Sequence, residues 1–224
     1  MTPTVSTREA ELHAMPLWIG TDTAELGAWV LRTVPHAPGL TLRRTNSCLA
    51  IGDPGAGIGE AVGMVRAFYD LRGREPVVQV EAGSEIERAL HGHGWRPLPE
   101  EVAPFQTAPI SMALAAAGAT LPAEASIEGT RIRAVVSVGG EPVGAARAEL
   151  NGGWLGVHGL EVEEEFRRRG LARALMAAVF RLGAEHGAAT AWLEVAVGNQ
   201  PARRLYEGLG FTDHHTCRCL TAGT

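Results

Sequence analysis

The sequence predicts a mixed α/β protein in which a mostly antiparallel sheet is flanked by helices. Three observations in the second half of the chain lead to this prediction. Apolar residues alternate with other residues over 131–138, as they do in a half-buried strand. Two glycine-containing turns then indicate that strands over 143–149 and 154–162 fold back as hairpins. Apolar residues also recur at helical spacing over 171–182, which predicts a helix with one buried face.

The elements that follow extend this pattern. Residues 189–197 form a strongly apolar run that is long enough for a central strand. A second helix is expected to begin at Asn199-Gln200-Pro201, because proline is favoured in a first turn, and to end at Gly210. A last strand is expected over 211–220.

The first half of the chain also mixes strands and helices. Its predicted elements are, in order, a strand over 40–51, a helix over 58–69, a strand over 77–80 and a helix over 84–92. Between the halves, residues 115–129 are small and show no strong period, which is typical of a linker. The sequence therefore predicts two domains, 1–118 and 126–224.

The composition excludes several kinds of chemistry. All 20 basic residues of the 224-residue chain are arginine, so no lysine is present for a Schiff base, a pyridoxal-phosphate anchor or a P-loop. Any cation that the function needs must be a guanidinium group. The net charge of -5 argues against a non-specific nucleic-acid binder, and we expect no nucleic-acid partner.

The sequence also bears on the cellular location. The longest apolar stretch, residues 110–117, is too short to span a bilayer, so we expect no membrane association. The first residues, with Arg8 and Glu9, do not resemble a signal peptide. Three cysteines do not make a disulfide framework. These features predict a cytoplasmic protein, and the sequence leaves open whether it forms a homodimer.

A strand, an arginine-rich turn and a helix follow one another over 154–182. The first N–H groups of a helix lack partners within the helix and lie at its positive end, so they attract anions. Gly170 and Ala172 would let a phosphate approach the backbone. The arginines around them are Arg167, Arg168, Arg169 and Arg173. The alternative is a solvated turn whose arginines form surface ion pairs with Glu163, Glu164 and Glu165.

Three motifs here resemble a known family. The run Arg167-Arg168-Arg169-Gly170-Leu171-Ala172 resembles the R/Q-x-x-G-x-G/A acetyl-CoA signature of the GNAT superfamily of N-acetyltransferases. Upstream, Leu160-Glu161-Val162 is similar to the strand end that precedes this signature. The downstream pattern N-x-x-A-x-x-L-Y-x-x-x-G-F is matched by Asn199, Ala202, Leu205, Tyr206, Leu209, Gly210 and Phe211. The resemblance covers roughly residues 131–220.

The resemblance implies an acyltransferase that moves an acetyl group from acetyl-CoA directly to a primary amine of a small molecule or peptide. It implies that the fourth and fifth strands of the sheet, 154–162 and 189–197, splay apart to admit the thioester. It makes Tyr206 the general acid for the departing thiolate. The residues that it implies for binding the cosubstrate are Leu160, Glu161, Val162, Arg167, Arg168, Arg169, Gly170, Leu171, Ala172, Arg173, Asn199 and Tyr206.

The general base is left open between two residues, acting directly or through a water molecule, and an amine with a low enough pKa would need no dedicated base. Glu194 resembles the base of ribosomal-protein N-terminal acetyltransferases, and His158 resembles the catalytic histidine of arylalkylamine acetyltransferases. Glu161 is a third choice, because it lies next to the strand end implied to bind the cosubstrate, but strand alternation places it on the opposite face from His158. Each also has a structural interpretation: Glu194 as the solvent-facing residue of its strand, and His158 as a hydrogen-bonded core residue.

A metal site is not expected. The potential ligands near the end of the chain are His214, His215, Cys217 and Cys219. Structural zinc sites usually take ligands from two separate turns, whereas these four lie in one predicted strand. A dinucleotide site is excluded too, because the glycines at 55–59 lack the G-x-G-x-x-G spacing.

The first half suggests two further hypotheses. Residues 42–55 resemble a bacterial GNAT subgroup in which a degenerate GNAT-like half precedes the catalytic half, and some members of that subgroup have been linked to N-acetylglutamate synthesis. Arg43, Arg44 and Asn46 would then hold a substrate carboxylate, or else lie on a surface strand. The alternative to an enzyme is a CoA-binding sensor or interaction module without turnover.

Overall fold

The computed structural model describes residues 5–18, 22–34, 45–99, 102–118 and 121–222. The α-helices in these ranges are α1 (Thr7–Ala14), α2 (Ile58–Asp70), α3 (Glu85–Gly92), α4 (Ile110–Ala117), α5 (Leu171–Glu185) and α6 (Gln200–Glu207). None of the helices in the described ranges has the length and apolar character needed to cross a membrane.

The same ranges contain the strands of two sheets. The strands are β1 (Asp22–Leu26), β2 (Trp29–Thr33), β3 (Cys48–Leu49), β4 (Val77–Glu81), β5 (Trp95–Pro97), β6 (Phe105–Pro109), β7 (Glu124–Glu128), β8 (Arg131–Val138), β9 (Glu141–Asn151), β10 (Trp154–Val162), β11 (Thr190–Glu194), β12 (Thr212–His215) and β13 (Cys217–Ala222).

The chain divides into two compact units, each with its own sheet and core. The first unit comprises Met1–Val102 and His215–Thr224, and the second comprises Ala103–His214. The first-unit sheet has the order β1-β2-β3-β4-β13-β5. Its core contains Trp29, Tyr69, Trp95 and Leu220, none of which has measurable exposure.

The second unit contains the sheet that carries the motifs resembling the GNAT family. Its strand order is β12-β6-β11-β10-β9-β8-β7, in which β10 and β11 pair in parallel. The hairpins β8–β9 and β9–β10 are antiparallel, as the sequence predicts. Helix α5 covers one face of this sheet, and its apolar side, including Leu175 and Phe180, is fully buried against the strands. This packing fixes the start of α5 next to the end of β10.

Each sheet contains one strand from the other half of the chain. In the first-unit sheet, β13 lies between β4 and β5, and in the second-unit sheet, β6 lies between β11 and β12. β5 and β12 therefore have equivalent edge positions, and after each of them the chain enters the other sheet. Both sheets also contain one parallel pair, β3–β4 and β10–β11. The two halves of the sequence thus complete each other's sheets.

Three sequence-based expectations are corrected by the structure. The stretch predicted as a linker, 115–129, includes the end of α4 and strand β7, which is an edge strand with too few buried residues to show alternation. The last strand, expected over 211–220, is two strands that meet at Thr216 and enter different sheets. The strand expected over 189–197 ends at Glu194.

Candidate active site

The strands β10 and β11 separate part-way along their length. Their parallel ladder joins Trp154 to Thr190, Leu155 to Ala191, and Gly156 to Trp192, and it continues no further. β10 runs on beside β9 as far as Val162, while β11 runs on beside β6 to Glu194. An opening between the two strands therefore begins directly after Gly156 and Trp192.

A β-bulge shifts the faces of β10 at this opening. His158 pairs with Arg147 and Glu161 pairs with Ala145, so three residues on β10 correspond to two on β9. Gly159 accommodates the bulge with a φ of 57°, a value that glycine adopts without strain. Because Arg147 and Ala145 share a face, Glu161 lies on the same face as His158. The expectation that Glu161 faces away from His158 is wrong, since simple alternation does not count the extra residue.

The two base candidates also share this face. Leu155 and Val157 on β10, and Leu193 on β11, belong to the core on the α5 side of the sheet. His158 and Glu194 alternate with them and therefore point to the other side. Each follows the last pair of the ladder by two residues, so they flank the opening from opposite strands.

The surroundings of His158 favour its neutral form. Its pKa is lowered from the ordinary value, first by desolvation and then by the positive charge of Arg147, while the carboxylate of Glu149 acts in the opposite direction. An imidazole with a lowered pKa is unprotonated near neutral pH. His158 can therefore accept a proton, and part of its side chain is accessible to solvent.

The turn between β10 and α5 is shaped for an anion. Gly170 is the N-cap of the fifteen-residue helix α5 and has a φ of 80°. Arg168 has a φ of 64°, which makes it the one positive-φ residue other than glycine in the described ranges. A Cβ placed on Gly170 would meet nothing within 4 Å, so the backbone there is open to an incoming ligand.

The arginines of this turn hydrogen-bond to backbone carbonyls. Arg167 Nε donates to the carbonyl of Val162 at 2.9 Å, and Arg169 Nη2 donates to that of Glu165 at 3.0 Å. Arg173 Nη1 donates to the carbonyl of Ala116 at 2.6 Å. As far as the chain is described, none of these guanidinium groups, nor that of Arg168, forms an ion pair with a carboxylate. The ion-paired turn considered from the sequence is therefore not what the structure shows.

Helix α6 supplies the candidate acid. Tyr206 is buried with 8% exposure in the core, where its ring lies 5.9 Å from that of Phe211. Burial raises the pKa of Tyr206 to about 12, so the hydroxyl stays protonated at neutral pH. Asn199 is the N-cap of α6, because its side chain accepts a hydrogen bond from the N–H of Ala202 at 3.3 Å. The resemblance to the GNAT family implied a contact with the cosubstrate for Asn199 and did not indicate this structural role.

This fold and these motifs agree with a comparison against protein-family models. Residues 103–211 match the model described as "Acetyltransferase (GNAT) family". Residues 103–211 belong to the GNAT acetyltransferase family. The GNAT domain therefore extends from β6 to the residue before β12, and it contains the opening, the arginine turn and α6. Members of this family that act on amines are N-acetyltransferases, a class of acyltransferase.

Known proteins resemble the chain in sequence or in fold. The [Ribosomal protein bS18]-alanine N-acetyltransferase of Escherichia coli strain K12 is 41% identical over 54 residues, which are 24% of this chain and 36% of that relative. The chain thus spans about a third of the length of this relative. A GCN5-related N-acetyltransferase from Kribbella flavida has a TM-score of 0.72 at 19% identity, with 100% of this chain and 97% of that chain covered. A tandem GNAT protein from the clavulanic acid biosynthesis pathway has a TM-score of 0.59 at 13% identity, over 74% of this chain and 71% of that chain. At these identities, the solved structures establish a shared fold.

One charged neighbour of the candidate base His158 was missed from the sequence. Arg147 pairs directly with His158 and lowers its pKa. The hairpin turn at 152–153 would have indicated this pair, since counting outward from the turn places residue 147 opposite residue 158.

The substrate residues suggested in the first half are only partly described. Arg43 and Arg44 lie outside the described residues. Asn46 Oδ1 is close to Thr33 Oγ1, at 3.1 Å, and accepts from the N–H of Val34 at 2.9 Å. Asn46 therefore joins the end of β2 to the turn before β3, which is a structural role.

Proposed function

We propose that the GNAT domain transfers an acetyl group from acetyl-CoA directly to a primary amine of a small molecule or peptide. The observation that carries this proposal is the open cationic turn at the start of α5, whose arginines form no ion pair within the described residues, next to an opening that bears two candidate base residues. A turn of this kind binds a pyrophosphate through backbone N–H groups and guanidinium charge. The lack of lysine in the chain makes arginine the only side chain that can supply this permanent charge.

The residues present fit the pyrophosphate and pantetheine of the cosubstrate. Gly170 leaves the backbone open, and Arg167, Arg169 and Arg173 are held by carbonyl hydrogen bonds that use only part of their donors. Leu160, Glu161 and Val162 follow the bulge, where β10 no longer pairs with β11. Backbone groups freed in this way can hydrogen-bond an extended ligand arm as a strand would. Bound there, acetyl-CoA would supply the activated acetyl group.

The chain's own residues divide the proton transfers between them. We assign His158 as the base, because its lowered pKa keeps Nδ1 or Nε2 available to take the proton of an ammonium substrate. Glu194, across the opening, would attract the ammonium and orient it before deprotonation. Tyr206 would donate its hydroxyl proton to the departing sulfur, since its raised pKa keeps that proton in place.

We also propose that residues 1–118 are a degenerate GNAT-like half and that 126–224 are the catalytic half. The shared strand order, with a parallel pair and a strand from the other half in each sheet, supports this. The segment between β3 and α2 corresponds to the arginine turn, yet it contains Asp53 and no arginine. The first half would therefore bind no second CoA at this position. We further propose a cytoplasmic location, in keeping with the sequence.

The test is release of free thiol from acetyl-CoA by the full-length protein. The panel contains amino acids, polyamines, aminoglycosides and N-terminal peptides, including peptides that begin with alanine. CoA binding is measured separately by calorimetry. Arg168→Gln should weaken CoA binding about 10- to 100-fold, the usual effect of a lost charge-assisted hydrogen bond. Arg181→Gln, on the exposed far part of α5, is the matched control and should leave binding unchanged.

The outcomes separate three conclusions. Thiol release with one class of amine supports the enzyme and names its acceptor. CoA binding that depends on Arg168 without release for any amine would instead support a CoA-binding sensor or interaction module. Equal effects of the two arginine variants would remove the turn as the pyrophosphate site.

A further inference from the structure

A cluster of three metal-ligating side chains, two of them buried, lies in the first unit. Glu11 of α1, His215 at the end of β12 and Cys217 at the start of β13 place their ligand atoms within 4.8 Å of one another. The side chains of Glu11 and His215 are 1% and 2% exposed. Burying a carboxylate and an imidazole is costly unless both have strong partners, so this convergence requires an explanation.

The ligand atoms of His215 and Cys217 both contact one carboxylate oxygen of Glu11. His215 Nε2 lies 3.0 Å from Glu11 Oε1, and Cys217 Sγ donates to the same oxygen at 3.3 Å. In a nucleophilic triad the imidazole stands between the thiol and the carboxylate, so that it can take the thiol proton. Here the carboxylate oxygen stands between the other two. The arrangement therefore does not suit a cysteine nucleophile, whereas it does suit a shared cation.

The second carboxylate oxygen is held by a buried relay. Gln79 Nε2 donates to Glu11 Oε2 at 3.2 Å, and Gln79 Oε1 accepts from Arg32 Nη2 at 2.9 Å. Both Gln79 and Arg32 are 1% exposed. Hydrogen bonds of this type orient ligating carboxylates in metal sites. The relay fixes the carboxylate so that Oε1 faces His215 and Cys217.

We propose that Glu11, His215 and Cys217 form a transition-metal site, with Zn²⁺ as the preferred ion. Thiolate and imidazole ligands select zinc over magnesium or calcium. Zinc bonds of about 2.0–2.3 Å place neighbouring donors a little over 3 Å apart, close to the two contacts found here. A water molecule would supply the fourth ligand of a tetrahedral zinc ion, and Cys217 is only half-buried. Binding would exchange the Cys217 proton for the metal and release it to solvent.

The expectation of no metal rested on four ligands in one strand. The structure breaks that strand at Thr216 and adds Glu11, which is 204 residues from His215, so the cluster now draws on separate elements. His214 and Cys219 are not part of it. The site would fasten α1 to β13 within the first unit.

The test uses the full-length protein after removal of metal with a chelator. Co²⁺ is added as a probe, because a cobalt–thiolate bond gives a near-ultraviolet charge-transfer band. One equivalent of Co²⁺ should produce the band, and one equivalent of Zn²⁺ should abolish it. Cys217→Ser should remove the band, and Glu11→Gln should weaken Co²⁺ binding about 10- to 100-fold, as lost ligands and their supports do. Cys219→Ser, two residues along β13, is the matched control and should keep the band.

A second measurement uses the wild-type protein, so the proposal can still be tested if one of the variants does not fold. In the wild-type protein, Zn²⁺ should protect Cys217 from alkylation, as read by mass spectrometry, while the protection of Cys48 should not change. Burial raises the pKa of the Cys48 thiol to about 12. Alkylation of Cys48 therefore reports opening of the protein and does not report metal binding. The proposal is overturned if Co²⁺ gives no band with the folded wild-type protein, if the band survives Cys217→Ser, or if Zn²⁺ leaves Cys217 reactive.

Discussion

His158 of β10 and Glu194 of β11 lie on the same face of the sheet, each two residues past the last pair that joins their strands. That pair is Gly156 and Trp192. An amine held in the opening would thus meet an imidazole from one strand and a carboxylate from the other. Under the proposed function, this relationship gives the two base candidates two distinct roles.

Separate pH profiles distinguish these roles. His158→Ala should lower kcat about 10²- to 10⁴-fold, the usual contribution of a general base, and should abolish the acidic limb of kcat/KM. Glu194→Gln should keep the limb and raise KM for the amine, because it removes a charge that attracts the ammonium. The reverse pattern, with the limb lost only in Glu194→Gln, would make Glu194 the base.

Removing either of two charges near His158 should shift its pKa, in opposite directions for Arg147 and Glu149. A base must be unprotonated, so kcat/KM falls as the pH drops through the pKa of His158. Arg147 lowers that pKa and Glu149 raises it. Arg147→Gln should therefore move the acidic limb to higher pH, and Glu149→Gln should move it to lower pH. Limbs that stay in place in both variants would show that another group titrates.

Tyr206→Phe tests the general acid. The change removes one hydroxyl and keeps the ring that packs against Phe211, so we expect the melting temperature to change little. kcat should fall about 10²-fold or more, with only a modest loss of CoA affinity. The pKa of Tyr206 is raised to about 12, so the wild-type enzyme should lose no activity from its ionisation up to about pH 10. An unchanged kcat in the variant would remove Tyr206 as the acid.

Asn199 can be tested as a helix cap apart from any contact with CoA. Asn199→Ala should lower the free energy of unfolding by about 1 kcal/mol, because the N–H of Ala202 loses its side-chain partner. Asn199→Ser should keep most of that stability, since serine also caps helices. Urea unfolding measures the stability, and calorimetry measures CoA binding. If both variants weaken CoA binding equally while only the alanine variant is less stable, then Asn199 also contacts the cosubstrate.

Strand β13, which joins the first-unit sheet from the other end of the chain, should contribute strongly to the stability of the first unit. Leu220 is fully buried in the first-unit core and pairs with Val78 of β4. Leu220→Ala should therefore lower the free energy of unfolding by about 2–5 kcal/mol. Arg218→Ala, in the same strand, should cost less than about 1 kcal/mol, since its pair with Glu87 is largely exposed on the arginine side. Hydrogen exchange should rise at the amides of β4, and exchange that rises only in β10 would contradict the assignment of β13 to the first-unit sheet.

Local features of the site were accessible from the sequence. The hairpins β8–β9 and β9–β10, helix α5 and its glycine cap depend on turn residues and on short periodic patterns. The bulge at Gly159 was not predicted, although a glycine inside a strand pattern is one signal of a bulge. This single residue reversed the face expected for Glu161. Strand β7 was missed for a related reason, since an exposed edge strand carries little apolar alternation.

The sequence by itself determined the local chemistry of this protein: an arginine-only cation set, the glycine turn before α5, and the motif that contains Tyr206. Only the tertiary structure decided which distant residues meet. It placed His158 and Glu194 on one face, across an opening between their strands. It added β13 to the sheet of the first half and β6 to the sheet of the second half. It also brought Glu11 into contact with His215, which is 204 residues away in sequence. The physical reason is range: helix and turn preferences depend on a few neighbouring residues, whereas strand pairing and side-chain convergence depend on burial in a shared core.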